Sequence, residues 1–226
     1  MSSRTSARVS LLPANHASVE PQGRPRQIAR YRPGQVIYRE GAVATRLYTV
    51  RRGIAKLIRH LPNGRARIVR LQTAGSMIGL PPASITGRTY PYTAVAVGRL
   101  EAECLPHGYI DALCREQPER YFGLLEHLCR QVREADLWIT EFSTGSIESR
   151  VARLIRYLAT IEDEIPAAEV ELLTCQDMGE ILGVTPESVS RTVAEFKRRR
   201  VLSLAAKRPV ERFACDLDAL EDLARG

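Results

Sequence analysis

Residues 174–202, TCQDMGEILGVTPESVSRTVAEFKRRRVL, leave the backbone little choice of local structure. Thr174 is a good N-cap, and Asp177 three positions on completes a capping-box pattern with Asp in place of Glu. Met178, Ile181 and Leu182 form a short apolar face, and Gly183 falls where a helix end favours a left-handed residue. Two residues later Thr185 can cap a second helix, with Pro186 at its first position, where a missing N–H does no harm. A helix, a tight glycine turn and a second helix predict a helix-turn-helix unit.

The second helix, residues 185–200, has two faces. Val189, Val193 and Phe196, spaced by four and three, are expected to face the core. Glu187, Ser190 and Arg191 share the outward face near the N-terminus. That end of a recognition helix meets base edges in the major groove. Arginine can donate two hydrogen bonds to guanine O6 and N7, glutamate can accept from cytosine N4, and serine suits several edges. These three are the candidate base readers. Thr174, Gln176, Thr185, Ser188, Lys197, Arg198, Lys207 and Arg208 are the candidate backbone contacts. The cations among them would add salt-dependent affinity but little sequence information. Lys207 and Arg208 lie in the tip of a predicted wing, Val201–Leu204 paired with Val210–Phe213. The competing reading is a helical hairpin with a solvated charged face and a Glu187–Arg191 surface ion pair. It would not require caps, turn glycine, core face and reading face to coincide. A net charge of +7 agrees with an anionic partner without demanding one.

Upstream the pattern is different. Residues 1–27 read as a flexible extension rich in Ser, Pro, Gly and Arg. Short β-rich runs follow at Val36–Tyr38, Leu47–Val50, Ala55–Ile58, Ile68–Leu71, Thr93–Val97 and Glu101–Leu105, separated by glycine turns. Asn63-Gly64 is the strongest hairpin signal, with both residues expected at positive φ in a type I′ turn. Regular short strands predict an antiparallel β-roll (jelly roll) over residues 28–108.

Residues 109–143 then take a helical period. Tyr121, Leu125, Leu128, Val132, Ala135, Ile139 and Phe142 make a heptad seam about three heptads long. Such a seam could pack on the chain's own β-domain. Its narrowness favours an identical partner helix and therefore a C2 homodimer, with Leu125 through Phe142 of that series as the interface. Residues 144–226 should form the DNA-binding domain, with Val151, Leu154, Ile155 and Leu158 on its first helix and Asp216 capping its last.

This order resembles the cyclic-AMP receptor/fumarate-nitrate regulator (Crp/Fnr) superfamily of bacterial transcription factors over about residues 28–226. The resemblance is most specific at Thr174, Gln176, Gly179, Gly183, Glu187, Ser190, Arg191 and Val201-Leu202. Glu187-Ser188-Val189-Ser190-Arg191 looks like the Glu-x-x-Ser-Arg reading motif of the fumarate-nitrate branch, which implies palindromic sites with TTGAT-like half-sites. It further implies an α+β fold: a cyclic-nucleotide-binding-like β-roll, a long dimerisation helix and a winged helix-turn-helix. The implied partners are double-stranded DNA, a second copy of the chain and RNA polymerase, in the cytoplasm.

The sequence departs from the family in two places. Cys175 stands where many members carry a basic phosphate-contacting residue. The Phe-Gly-Glu and Arg-Ser stretches that hold cyclic AMP correspond here to Ile78-Gly79-Leu80-Pro81-Pro82 and Tyr92-Thr93-Ala94. Without the glutamate and the arginine, cyclic AMP is not expected to bind tightly. An amino-terminal iron–sulfur cluster is not expected, because residues 1–100 contain no cysteine. Haem stays open, with His16, His60, His107 and His127 as candidate ligands. Gly79, Arg88, Tyr90, Tyr92 and Thr93 are the candidate lining of an effector pocket between the roll and the long helix.

The five widely spaced cysteines do not suggest a disulfide framework, and no zinc spacing is present. No nucleophile–base pair or phosphate-cradling glycine loop points to an enzyme, and no apolar run reaches the length of a membrane span. The alternative function is a ligand-binding regulatory module that works through protein contacts rather than DNA.

Overall fold

A computed structural model describes residues 27–80, 89–106, 108–161, 168–206 and 211–226. Short strands closed by glycine turns build two antiparallel four-stranded sheets. One runs in the order β1 (Gln27–Tyr31), β8 (Leu100–Pro106), β3 (Arg46–Arg52), β6 (Met77–Ile78). The other runs β2 (Val36–Tyr38), β7 (Thr93–Ala96), β4 (Ala55–His60), β5 (Ala66–Gln72). Between them pack small and branched residues such as Val50, Ala55, Leu57, Ala94 and Ala102. Tyr38 stacks on Tyr48 and Tyr90 in the same core. Strands β1 and β6 escaped the sequence reading. β6 is two residues long, and β1 is mostly exposed, so neither carries an alternating apolar pattern. Pairing with β8 and β3 places them.

The β4–β5 hairpin corrects the turn expected at Asn63-Gly64. Gly64 alone takes a positive φ, 78°, while the Gly64 N–H bonds to Leu61 O and the Leu61 N–H to Arg65 O. Pro62 pre-sets the first central position of an ordinary turn over residues 61–64, and Gly64 follows as the left-handed residue of a three-residue loop.

The expected single helical region over 109–143 is two helices, α1 (Tyr109–Glu116) and α2 (Pro118–Ser143). Proline disfavours helical backbone at the residue before it, and Gln117 takes φ −143°, ψ 68°. Helix α2, with 26 residues, is about 39 Å long.

The carboxy-terminal unit comprises α3 (Ile147–Ile161), β9 (Glu169–Glu171), α4 (Cys175–Leu182), α5 (Pro186–Arg198), β10 (Leu202–Ala206), β11 (Arg212–Cys215) and α6 (Leu217–Arg225). Its strands form a sheet in the order β10-β11-β9, one strand more than the anticipated wing hairpin. Val151, Leu154, Ile155, Met178, Ile181, Val189, Phe196 and Leu220 form its core. Arg153 clasps it to the long helix, donating to the carbonyls of Glu141, Thr144 and Ala224.

Candidate nucleic-acid interface

Local chemistry sets the geometry of α4 and α5. Thr174 Oγ1 accepts from the Asp177 N–H at 3.1 Å, and Thr185 Oγ1 accepts from the Ser188 N–H at 3.3 Å. The Thr185 hydroxyl also lies 3.1 Å from Ser188 Oγ. Gly183, at φ 71°, closes α4 with its N–H on Gly179 O, and the Val184 N–H shares that carbonyl. A Cβ on Gly183 would also collide with the Arg67 guanidinium. Gly183→Ala is therefore expected to cost about 1–2 kcal/mol, from a left-handed alanine and a displaced Arg67. Urea unfolding would measure this, and an unchanged midpoint would refute it.

The inner face of α5 is anchored by buried Val189, Val193 and Phe196. On the other side Glu187, Ser190 and Arg191 are exposed. The Glu187 carboxyl is held below the ordinary carboxylate range, first by its own backbone N–H at the helix N-terminus, then by the Thr185 hydroxyl and nearby Arg191. It stays an acceptor throughout the neutral range.

The basic end of α5 is less free than its sequence suggests. Lys197 Nζ lies 4.2 Å from the Phe213 ring centre. Arg198 pairs with Glu195, and Arg199 reaches Glu148 on α3 at 2.5 Å. At the start of α4, Gln176 donates to Glu180. Lys207 and Arg208 lie outside the described residues.

The predicted seam divides. Leu125, Val132 and Ile139 are 38, 59 and 62% exposed, and Phe122 joins the same stripe at 64%. Leu128 and Ala135 are half-buried at its edge. Phe142, assigned to the dimer interface by its spacing, is 3% exposed and packs edge-on against Trp138 and Tyr157. It belongs to the core that joins α2 to α3, because the helix turns its last apolar positions toward the chain's own head.

The candidate effector residues also fall differently. Tyr90 is buried with its ring 4.0 Å from that of Tyr38, and its hydroxyl donates to Arg46 O. Thr93 is buried and accepts from the Glu40 N–H. A Cβ on Gly79 would lie 3.2 Å from both Arg46 O and the Tyr90 ring. These three fill the interior of the roll rather than line a cavity against α2. Tyr92 is half-buried at its margin, and Arg88 lies outside the described residues.

Of the candidate haem ligands, His127 Nε2 lies 2.8 Å from Gln131 Nε2 and accepts from the Met77 N–H. His60 sits beside Glu40, while His16 and His107 are outside the described residues. Among the described residues, no group of three His, Cys, Asp or Glu side chains could hold a metal. No described helix is long and apolar enough to cross a membrane.

Comparison with known proteins adds two family matches: a cyclic nucleotide-binding domain at residues 28–117 and a Crp-like helix-turn-helix domain at residues 149–223. The transcriptional activatory protein AadR of Rhodopseudomonas palustris is 26% identical over 194 residues, covering 84% of this chain and 78% of AadR. The nitrogen fixation regulation protein FixK of Rhizobium meliloti is 25% identical over 87% of each chain. Among solved structures, FixK2 from Bradyrhizobium japonicum superposes with a TM-score of 0.75 at 20% identity, over 88% of this chain and 97% of its own.

Proposed function

Because the chain belongs to the Crp/Fnr superfamily of DNA-binding transcription regulators, we propose that it acts as a homodimer on palindromic DNA with TTGAT-like half-sites. The observation that carries this reading is the two-sided α5: its inner face is locked in the core while Glu187, Ser190 and Arg191 stand exposed together at its capped N-terminus. Pairing through Phe122, Leu125, Val132 and Ile139 would cover an apolar stripe that otherwise faces water. The two α5 helices would then enter successive major grooves about 34 Å apart. Arg191 reads guanine, Glu187 accepts from cytosine, and Thr174 and Thr185 meet phosphates, Thr185 by turning its hydroxyl away from Ser188 and Glu187. Lys197, Ser188 and Gln176 flank that path. Arg198 joins it by exchanging Glu195 for a phosphate.

The protein acts by binding, not by catalysis, with RNA polymerase as its downstream partner. A cyclic nucleotide has no part in this reading. Tyr90 and Tyr38 occupy the roll's interior, and the stretch Tyr92-Thr93-Ala94 lacks the arginine that the family resemblance would place there for a phosphate.

Gel shifts at two salt concentrations separate this reading from a module that works through protein contacts. Binding that weakens steeply with salt is expected, whereas no duplex binding at either concentration would favour the alternative. Arg191→Ala should lose about 1–3 kcal/mol on a specific site and flatten discrimination at one base pair. Undiminished affinity on that site would remove Arg191 from its assigned role.

A further inference from the structure

Helix α4 is gripped at both ends by cations from the β-roll. On β4, Lys56 Nζ meets Asp177 Oδ1 at 2.5 Å in the first turn of α4, and both side chains are largely buried, 16 and 11% exposed. On β5, Arg67 Nη2 donates to Ile181 O at 3.2 Å in the last turn, where the helix's unpaired carbonyls concentrate negative charge. Arg150 of α3 takes the next carbonyl, that of Leu182. Between the two grips the apolar surface is continuous: Ile54, Ile68 and Leu71 of the roll share one cluster with Met178, Ile181 and Leu182 of α4. Helix α4 in turn lies hard against the start of α5, because Gly179 brings its backbone within Cβ distance (2.9 Å) of Val184 O.

We propose that Lys56 and Arg67 are positioning residues of the DNA-binding unit: they fix α4, and through it α5, to strands β4 and β5, so that the roll sets where the reading helix stands relative to the dimer axis. The DNA consequence rests on the functional reading above; the mechanical link does not. The charge placement fits a bound state. Asp177 sits beside Thr174 and Gln176, the residues proposed to meet phosphates, and an uncompensated carboxylate there would repel the backbone. Lys56 offsets it. Glu187, Ser190 and Arg191 stay exposed while both grips are closed, so the contact holds the head without covering its reading face.

The test uses the full-length protein with Arg67→Gln, Lys56→Gln and the double variant, and Lys56→Arg as the conservative control. Hydrogen exchange reads the link without DNA. Faster exchange is expected in α4 and β5 of the double variant, with β1, β8 and α6 unchanged and Lys56→Arg near wild type. Binding to a palindrome selected by the wild type, and to the same site with one base pair inserted at its centre, reads the function. The wild type is expected to lose about tenfold or more on the insertion, whereas the double variant should lose affinity for the parent site and discriminate spacing less than about threefold. Unchanged exchange in α4 would overturn the link. Retained spacing discrimination alongside faster exchange would overturn its positioning role. A double variant that melts globally would hand the decision to Arg67→Gln, whose replaced bond is to a single carbonyl. If the wild type bound no duplex at any salt, the DNA reading would fail, and the link would stand or fall on exchange alone.

Discussion

Replacing Val132 and Ile139 together by aspartate is expected to leave a folded monomer that binds a palindromic site at least about a hundredfold more weakly than the dimer. Both side chains face water within the chain, so their loss removes nothing from its core. In a two-fold helix pair, by contrast, each substitution would bury an unpaired carboxylate next to its own copy, and desolvation and repulsion both oppose that. Light scattering after size exclusion would give the mass, and gel shift the affinity. Phe142→Asp provides the contrast. That side chain packs in the intrachain core with Trp138 and Tyr157, so its replacement should lower thermal stability instead of shifting the monomer–dimer balance alone. A double variant that stayed dimeric would place the interface elsewhere.

Gly179→Val should have the largest effect on the head itself. Its new Cβ would meet Val184 O at 2.9 Å and Pro186 N at 3.4 Å. Both are backbone atoms of the turn and of the first residue of α5, so neither can rotate aside. Relief requires α5 to move off α4, which opens the packing of Val189 and Phe196 against Met178 and Ile181. Overpacking ordinarily costs about 1–3 kcal/mol, and a backbone obstacle puts this case at the upper end or beyond. Specific DNA binding should disappear while dimerisation persists. Unfolding within error of wild type would show that the helices separate more easily than their contact suggests.

The parts legible in the sequence were those specified by neighbours along the chain. Thr174, Gly183, Thr185 and Pro186 act within four residues of themselves, so the caps and turn of the helix-turn-helix could be read directly. The strands between residues 36 and 105 were legible where apolar residues alternated between turns. What escaped depends on contacts between residues distant in sequence. β9 offers a single buried residue, Val170, and exists because Phe213 lies opposite it. The grip of Lys56 on Asp177 spans 121 residues and that of Arg67 on Ile181 spans 114, and an isolated Lys or Arg on a strand carries no mark of such a partner. Periodicity placed Phe142 on the seam correctly as a helix position, but it could not say that the head folds back against that end of α2. Tyr90 shows the same limit. A tyrosine near a glycine turn suits a ligand pocket or a core equally well, and its stack on Tyr38 and its bond to Arg46 O are contacts that no local pattern announces.

The most direct test of α5 as a sequence reader in a two-fold dimer is selection of binding sites from random duplex DNA by the purified full-length protein. The expected outcome is enrichment of a palindrome with TTGAT-like half-sites centred about one helical turn apart, and its loss with Arg191→Ala. Recovery of unenriched sequence, or the same palindrome from wild type and Arg191→Ala alike, would contradict it.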